Sequence, residues 1–193
     1  MGLPEALTSH LQQEHKNKKT FRKEVIYMNV FSEKNKIVNV LIPVADAWAG
    51  DVQSDVVNLE NYNKCTFIIA TGVSAANTDG VVTVQAGVSN AVCATDIVFK
   101  YRTQIAAVPP ADGSDIPSTL TDATVTGFAM TAAKGGGVYI IEVNAADVAA
   151  GIAGGDHCSV TVTEDTAGAQ TGCIIAILSE PRYPQAILAT AID

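Results

Sequence analysis

The sequence predicts an all-β fold: an antiparallel β-sandwich, jelly-roll-like, with a short N-terminal helical arm. Three observations predict it. From about Lys36 onward apolar residues recur at every second position, the period of a strand with one buried face. Turn-forming residues separate about eight or nine such segments, the spacing of a sandwich or jelly roll. No segment between strands has the length of a crossover helix, which a parallel α/β sheet would require.

The elements follow in chain order. Leu3, Leu7 and Leu11 recur every four residues with Pro4 near the start, which predicts a short amphipathic helix. It runs into a basic stretch at 15–19. A leucine stripe this narrow is marginal by itself, so it needs the body or a partner chain to cover it. The strand period begins at about Lys23 and strengthens after Met28. We therefore divide the chain into an arm, 1–27, and a β-sandwich domain, 28–193.

In the domain, residues 38–42 alternate and Pro43 closes the strand, with Trp48 following in a turn over 46–51. Residues 64–71 contain the apolar run Phe67, Ile68, Ile69, Ala70, the length of a buried strand. Asn77, Asp79 and Gly80 mark a turn. Val82, Val84 and Ala86 alternate with Thr83 and Gln85, and Ile97, Phe99 and Tyr101 alternate with Val98, Lys100 and Arg102, as in a meander or Greek key. Pro109, Pro110, Gly113 and Pro117 place a long surface loop at 106–118. Strands are expected at 124–131 and 138–143, with a turn at Lys134, Gly135, Gly136 and Gly137 between them. Asn144 caps one helical turn. Residues 160–163 and 173–178 are strands, the latter fully apolar, and the tail 181–193 is extended.

Charge is unevenly spread. Residues 1–36 hold seven Lys and Arg against four Glu, and the remainder holds five basic against sixteen acidic residues, for a net −8. The acidic body repels nucleic acid and anionic membrane. The basic run 16–23 carries a single aromatic, Phe21, whereas stacking on nucleic acid uses aromatics spaced along a basic groove. A nucleic-acid partner is therefore not expected. Nor is a membrane, since no apolar stretch nears the roughly 20 residues of a membrane helix. Residues 1–19 are too polar for a signal peptide, which predicts synthesis in a cytoplasm.

Candidate chemistry is sparse. Cys65, Cys93, Cys158 and Cys173 form no C-x-x-C pair and read as buried free thiols. His10 and His15 are five residues apart and do not face each other on a helix. The best catalytic candidate is Asp156-His157-Cys158, following Gly154-Gly155. A Cys–His pair needs its side chains within hydrogen-bond reach, and neighbours on a strand point to opposite faces. A turn leading into the Val160 strand is the expected reading. Lys134 precedes its glycines, the reverse of a phosphate loop. Scattered acids such as Asp46, Asp122 and Glu142 read as solvated charges. No catalytic, cofactor-binding or metal-binding residue is assigned, and no enzyme activity is expected.

Three stretches resemble small structural proteins of tailed bacteriophages: 55–72 (DVVNLENYNKCTFIIATG), 139–143 (YIIEV) and 176–185 (AILSEPRYPQ). The resemblance covers about Asn29 to Asp193 and leaves the arm out. It implies a virion component assembled in the host cytoplasm, of the capsid decoration (cement) type. It further implies the major capsid protein as partner, self-association with the trimer favoured, and no catalytic residues. Other readings are a phage tail, fibre or head-completion part, and a carbohydrate-binding or adhesive module. The last would need an exposed aromatic platform, for which Trp48, Tyr62 and Tyr183 are the candidates.

Overall fold

The computed structural model describes residues 30–74, 80–91, 93–105, 115–130, 136–164, 168–183 and 187–192. The expected arm 1–27, turn residues Asn77 and Asp79, most of the 106–118 loop, and Lys134 lie outside the described residues. The elements are α1 (Phe31–Lys34), β1 (Lys36–Val44), β2 (Val52–Gln53), β3 (Val57–Asn58), β4 (Tyr62–Ser74), β5 (Gly80–Gly87), β6 (Cys93–Ile97) and β7 (Phe99–Ile105). They continue with β8 (Thr121–Ala123), β9 (Phe128–Ala129), β10 (Gly137–Asn144), α2 (Ala145–Gly151), β11 (His157–Glu164) and β12 (Gln170–Pro181).

Two sheets form, with every strand pair antiparallel. The larger has the order β1-β12-β4-β10-β7-β8; the smaller has the order β2-β11-β5-β6, with β3 also on β11 and β9 also on β5. The pairing has a simple logic. Take β1, β2 with β3, β4, β5, β6, β10, β11 and β12 as eight positions. The first pairs with the last, the second with the seventh, the third with the sixth and the fourth with the fifth. That is one long hairpin wrapped across two sheets, the jelly roll. The all-β sandwich expected from the two-residue period is therefore the fold. β7, β8 and β9 are inserted between the fifth and sixth positions and widen both sheets.

Alternation decides what goes inside. Cys65, Phe67 and Ile69 of β4, Tyr139, Ile141 and Val143 of β10, and Ile174, Ala176 and Leu178 of β12 are buried. They face Val82, Val84 and Ala86 of β5 and Cys158, Val160 and Val162 of β11. Burying each of the large side chains is worth about 1.5–3 kcal/mol. Beside β7, Tyr101 and Phe128 stack with ring centroids 4.0 Å apart, and Phe99 and Tyr139 tilt against Phe128 at 6.1 and 5.9 Å. This cluster fills the space that the insertion opens.

Trp48 plugs one end. Its Nε1 donates to the Gln170 Oε1 (3.1 Å), Gln170 Nε2 donates to the Gly72 carbonyl (3.1 Å), and the Ala47 amide donates to the Gln170 carbonyl (2.9 Å). The turn around Trp48 is thus tied to β4 and β12. Gly172 lets the indole lie close, because a Cβ there would be 2.4 Å from Trp48 Cζ2. At the other end the chain's tail seals the core: Tyr62 Oη donates to the Ala189 carbonyl (2.9 Å) and the Asn58 amide to the Ala191 carbonyl (2.9 Å).

Several local expectations are corrected. Residues 31–34 form a helical turn, α1, where strand character was expected to strengthen. Pro43 sits inside β1 instead of closing it. β1 is an edge strand with register shifts between Asn39 and Leu41 and between Leu41 and Val44, and such an edge needs no amide at every position. The run 97–101 is not one strand: it breaks at Val98, with β6 in the smaller sheet and β7 in the larger. Of the strand expected at 124–131, only Phe128–Ala129 pairs as one; residues 124–127 form a tight turn in which the Gly127 amide donates to the Thr124 carbonyl (2.9 Å), and 131 lies outside the described residues. Helix α2 is seven residues long, longer than the single turn expected.

Candidate functional site

The Asp156-His157-Cys158 stretch is the one that brings an acid, an imidazole and a thiol together in sequence. β11 starts at His157, so this residue belongs to the strand and not to a turn before it. His157 pairs in register with Asn58 on one side and Gly87 on the other. Its Nδ1 meets the Asp156 carboxylate at 2.5 Å, and the ring is buried. This is the carboxylate–imidazole half of a base assembly.

The nucleophile half points elsewhere. Cys158 faces the core with Val160 and Val162, opposite to His157, as strand geometry requires. The hydrogen bond between the Cys158 and Cys65 thiols, reinforced by burial and by the neighbouring Cys65 charge, holds the Cys158 pKa well above the ordinary thiol value. Cys93 is pushed up to about 11, mainly by burial and then by the Cys158 and Asp156 charges, against an opposing hydrogen bond from Ser159. A reactive cysteine needs a depressed pKa, so these two thiols are held in the inert form. All four cysteines are free; three are buried and Cys173 is partly exposed.

The outer face of the smaller sheet carries a closed polar network. Gln53 Nε2 reaches the Ser159 hydroxyl (3.0 Å), the Gln85 Oε1 (2.9 Å) and the Cys93 carbonyl (2.8 Å). Thr161 donates to the Gln85 Oε1 (2.9 Å), and Gln85 Nε2 donates to Asp96 (3.1 Å). Ser159 is fully buried under this network, and its hydroxyl is engaged by Gln53. The network knits β2, β11, β5 and β6 together across the sheet. Among the described residues there is no group of three or more His, Cys, Asp and Glu placed to hold a metal ion, and no helix is long and apolar enough to cross a membrane.

The aromatic candidates separate sharply. Trp48 is 3% exposed and Tyr62 is fully buried, so neither can serve as an open platform; Tyr183 alone is exposed, at 65%. Gln170, the partner of Trp48, drew no attention in the sequence, because a lone Gln before an apolar run carries no local signal of burial.

The outer face of the larger sheet has a different character. Residues 67–70 and 173–178 are apolar at consecutive positions, so these strands present apolar side chains on both faces. Ile175 of β12, Ile68 of β4 and Ile140 of β10 stand side by side in register on the outer face. Ile37 lies opposite Ile177 in the next row. The signal was the continuous apolar run, which marks a strand covered on both sides.

Comparison with protein-family models, with curated proteins and with solved structures finds no match to this chain.

Proposed function

We propose that this chain is a structural component of a tailed-phage virion, a decoration protein that binds the major capsid protein on the outer surface of the head and stabilises it. It is assembled in the host cytoplasm and ends in the particle. One observation carries the reading. The three stretches that resemble phage structural proteins fall on β3 and β4, on β10, and on β12 with its exit. In the larger sheet β12, β4 and β10 are consecutive neighbours. Apart from β3, which pairs with β11 in the smaller sheet, the resemblance therefore sits in the framework of the larger sheet, where a shared fold would leave its trace.

Two further points support it. The jelly roll is an architecture used by viral capsid domains; this is an argument from fold alone, and fold does not fix function. The groups that chemistry would need are turned inward or engaged: Cys158 in the core, Ser159 under Gln53, Trp48 beneath Gln170. A protein whose work is contact has no use for an activated nucleophile.

Quantitative mass spectrometry of purified virions tests the reading. The expected result is a copy number comparable to that of the major capsid protein, together with earlier head rupture on heating in particles that lack this protein. A few copies per particle would reassign it to the tail, a fibre or head completion. Absence from the particle would refute a virion role altogether.

A further inference from the structure

We infer that the outer face of the larger sheet is a self-association surface, and that its occupant is the same face of a second copy of this chain. The inference does not rest on the virion reading.

The first observation is that β4, β10 and β12 are built as doubly covered strands but, among the described residues, are covered on one side. Phe67 and Ile69 point into the core while Ile68, between them, points out; Tyr139 and Ile141 flank Ile140 in the same way, and Ile174 and Ala176 flank Ile175. An antiparallel sheet with one solvated face alternates apolar and polar residues. Here the outward positions at the centre are apolar, and Ile37 at the margin is 51% exposed. The described elements supply no second layer there. α1 stands over one end, where Phe31 lies near Thr66 and Ile177 beside a cavity of about 640 Å³.

The second observation is charge. The chain carries a net −8, so two copies repel across most orientations. Two outward carboxylates of this sheet are paired within it, while Glu180 stands exposed at the end of β12. Lys64 pairs with Glu142, and Lys100 pairs with Asp122. Arg102 also lies on this face, its guanidinium donating to the Ser118 carbonyl (2.8 Å). The face is the part of an acidic molecule that a like molecule can approach.

The third observation is size. The six strands hold 52 residues, which at a rise of about 3.4 Å and a strand spacing of about 4.8 Å give a face of roughly 850 Å². A stable protein–protein interface takes about 800 Å² from each partner. The apolar centre and charged margin reproduce the usual anatomy of such an interface. A sheet stacked on its own copy is isologous and closes at two copies, a dimer in place of the trimer that the resemblance implies, with the sheets about 10 Å apart.

Sedimentation of the full chain tests this, comparing wild type with Ile68→Lys and with Ile175→Thr. The second variant keeps a β-branched side chain and so keeps the strand if the first fails to fold. The expected result is a wild-type dimer and a dissociation constant raised at least tenfold in either variant, with a cooperative melt retained. Three outcomes overturn the inference. Variants that associate as well as wild type place the contact on another surface. A monomeric wild type whose melt is lowered by Ile68→Lys assigns the face to other residues of the same chain. A monomeric wild type whose melt is unchanged leaves the face to a different partner.

Discussion

Gly127 shows how one residue can decide a stretch of backbone. Its φ is +73°, and a Cβ would lie 2.0 Å from the Val82 carbonyl oxygen. Both the left-handed conformation and the close approach exclude a side chain. Gly127→Ala should therefore lower stability by about 2–4 kcal/mol, measured by urea unfolding; a loss below about 0.5 kcal/mol, the scale of an ordinary surface change, would contradict the geometry. The strand expected at 124–131 is interrupted here, because Gly127 turns the chain and leaves only Phe128–Ala129 to pair. His157 and Cys158 were different. Their placement on opposite faces followed from strand geometry alone and held, whereas the burial of Trp48 was illegible, since it depends on Gln170 arriving from 122 residues away.

At the scale of elements, the strands with long apolar or alternating runs were legible: β4, β5, β10, β11 and β12 lie where the pattern placed them, each somewhat longer than expected. Two-residue strands such as β2 and β3 were not. They exist because β11 offers them partners, and two residues carry no period. The α2 start is a case where the right residue does the expected job by other means. Asn144 occupies the N-cap position with extended backbone, but makes no side-chain bond to the helix amides; its Nδ2 donates to the Asp147 carboxylate at 2.8 Å. A true side-chain cap is worth about 1 kcal/mol. Asn144→Ala should thus cost less than about 0.5 kcal/mol, because an exposed side-chain pair contributes little. A loss of a full cap's worth in chemical denaturation would show that Asn144 caps the backbone in solution.

For the whole molecule, the fold class followed from the two-residue period, but the order of the strands did not, because nothing local states that β1 will lie against β12. What joins the sheets is the core between them, which holds Cys158 and Tyr62, while Cys93 is buried beside Ser159 on the outer side of the smaller sheet; the titration of all three couples to the fold. Cys93 is raised from 9.0 to about 11, and Cys158 and Tyr62 are also raised, the latter by burial. A thiol or phenol whose folded pKa lies above its unfolded value stays neutral in the fold and ionises first in the unfolded chain. Unfolding then releases protons, so stability falls with rising pH over that interval. The contribution of Cys93 is complete below pH 9 and is lost as pH rises from 9 through about 11. The melting temperature should hence be level up to about pH 9 and drop between pH 9 and 11, and Cys93→Ala should flatten the first part of the drop. Native-state alkylation by iodoacetamide gives a matching readout: Cys93 and Cys158 should react at neutral pH at the rate of global unfolding, because an un-ionised, buried thiol attacks slowly. A melting temperature unchanged across that interval, with prompt labelling of both thiols in the native state, would mean that Cys93 and Cys158 are not buried as the structure has them.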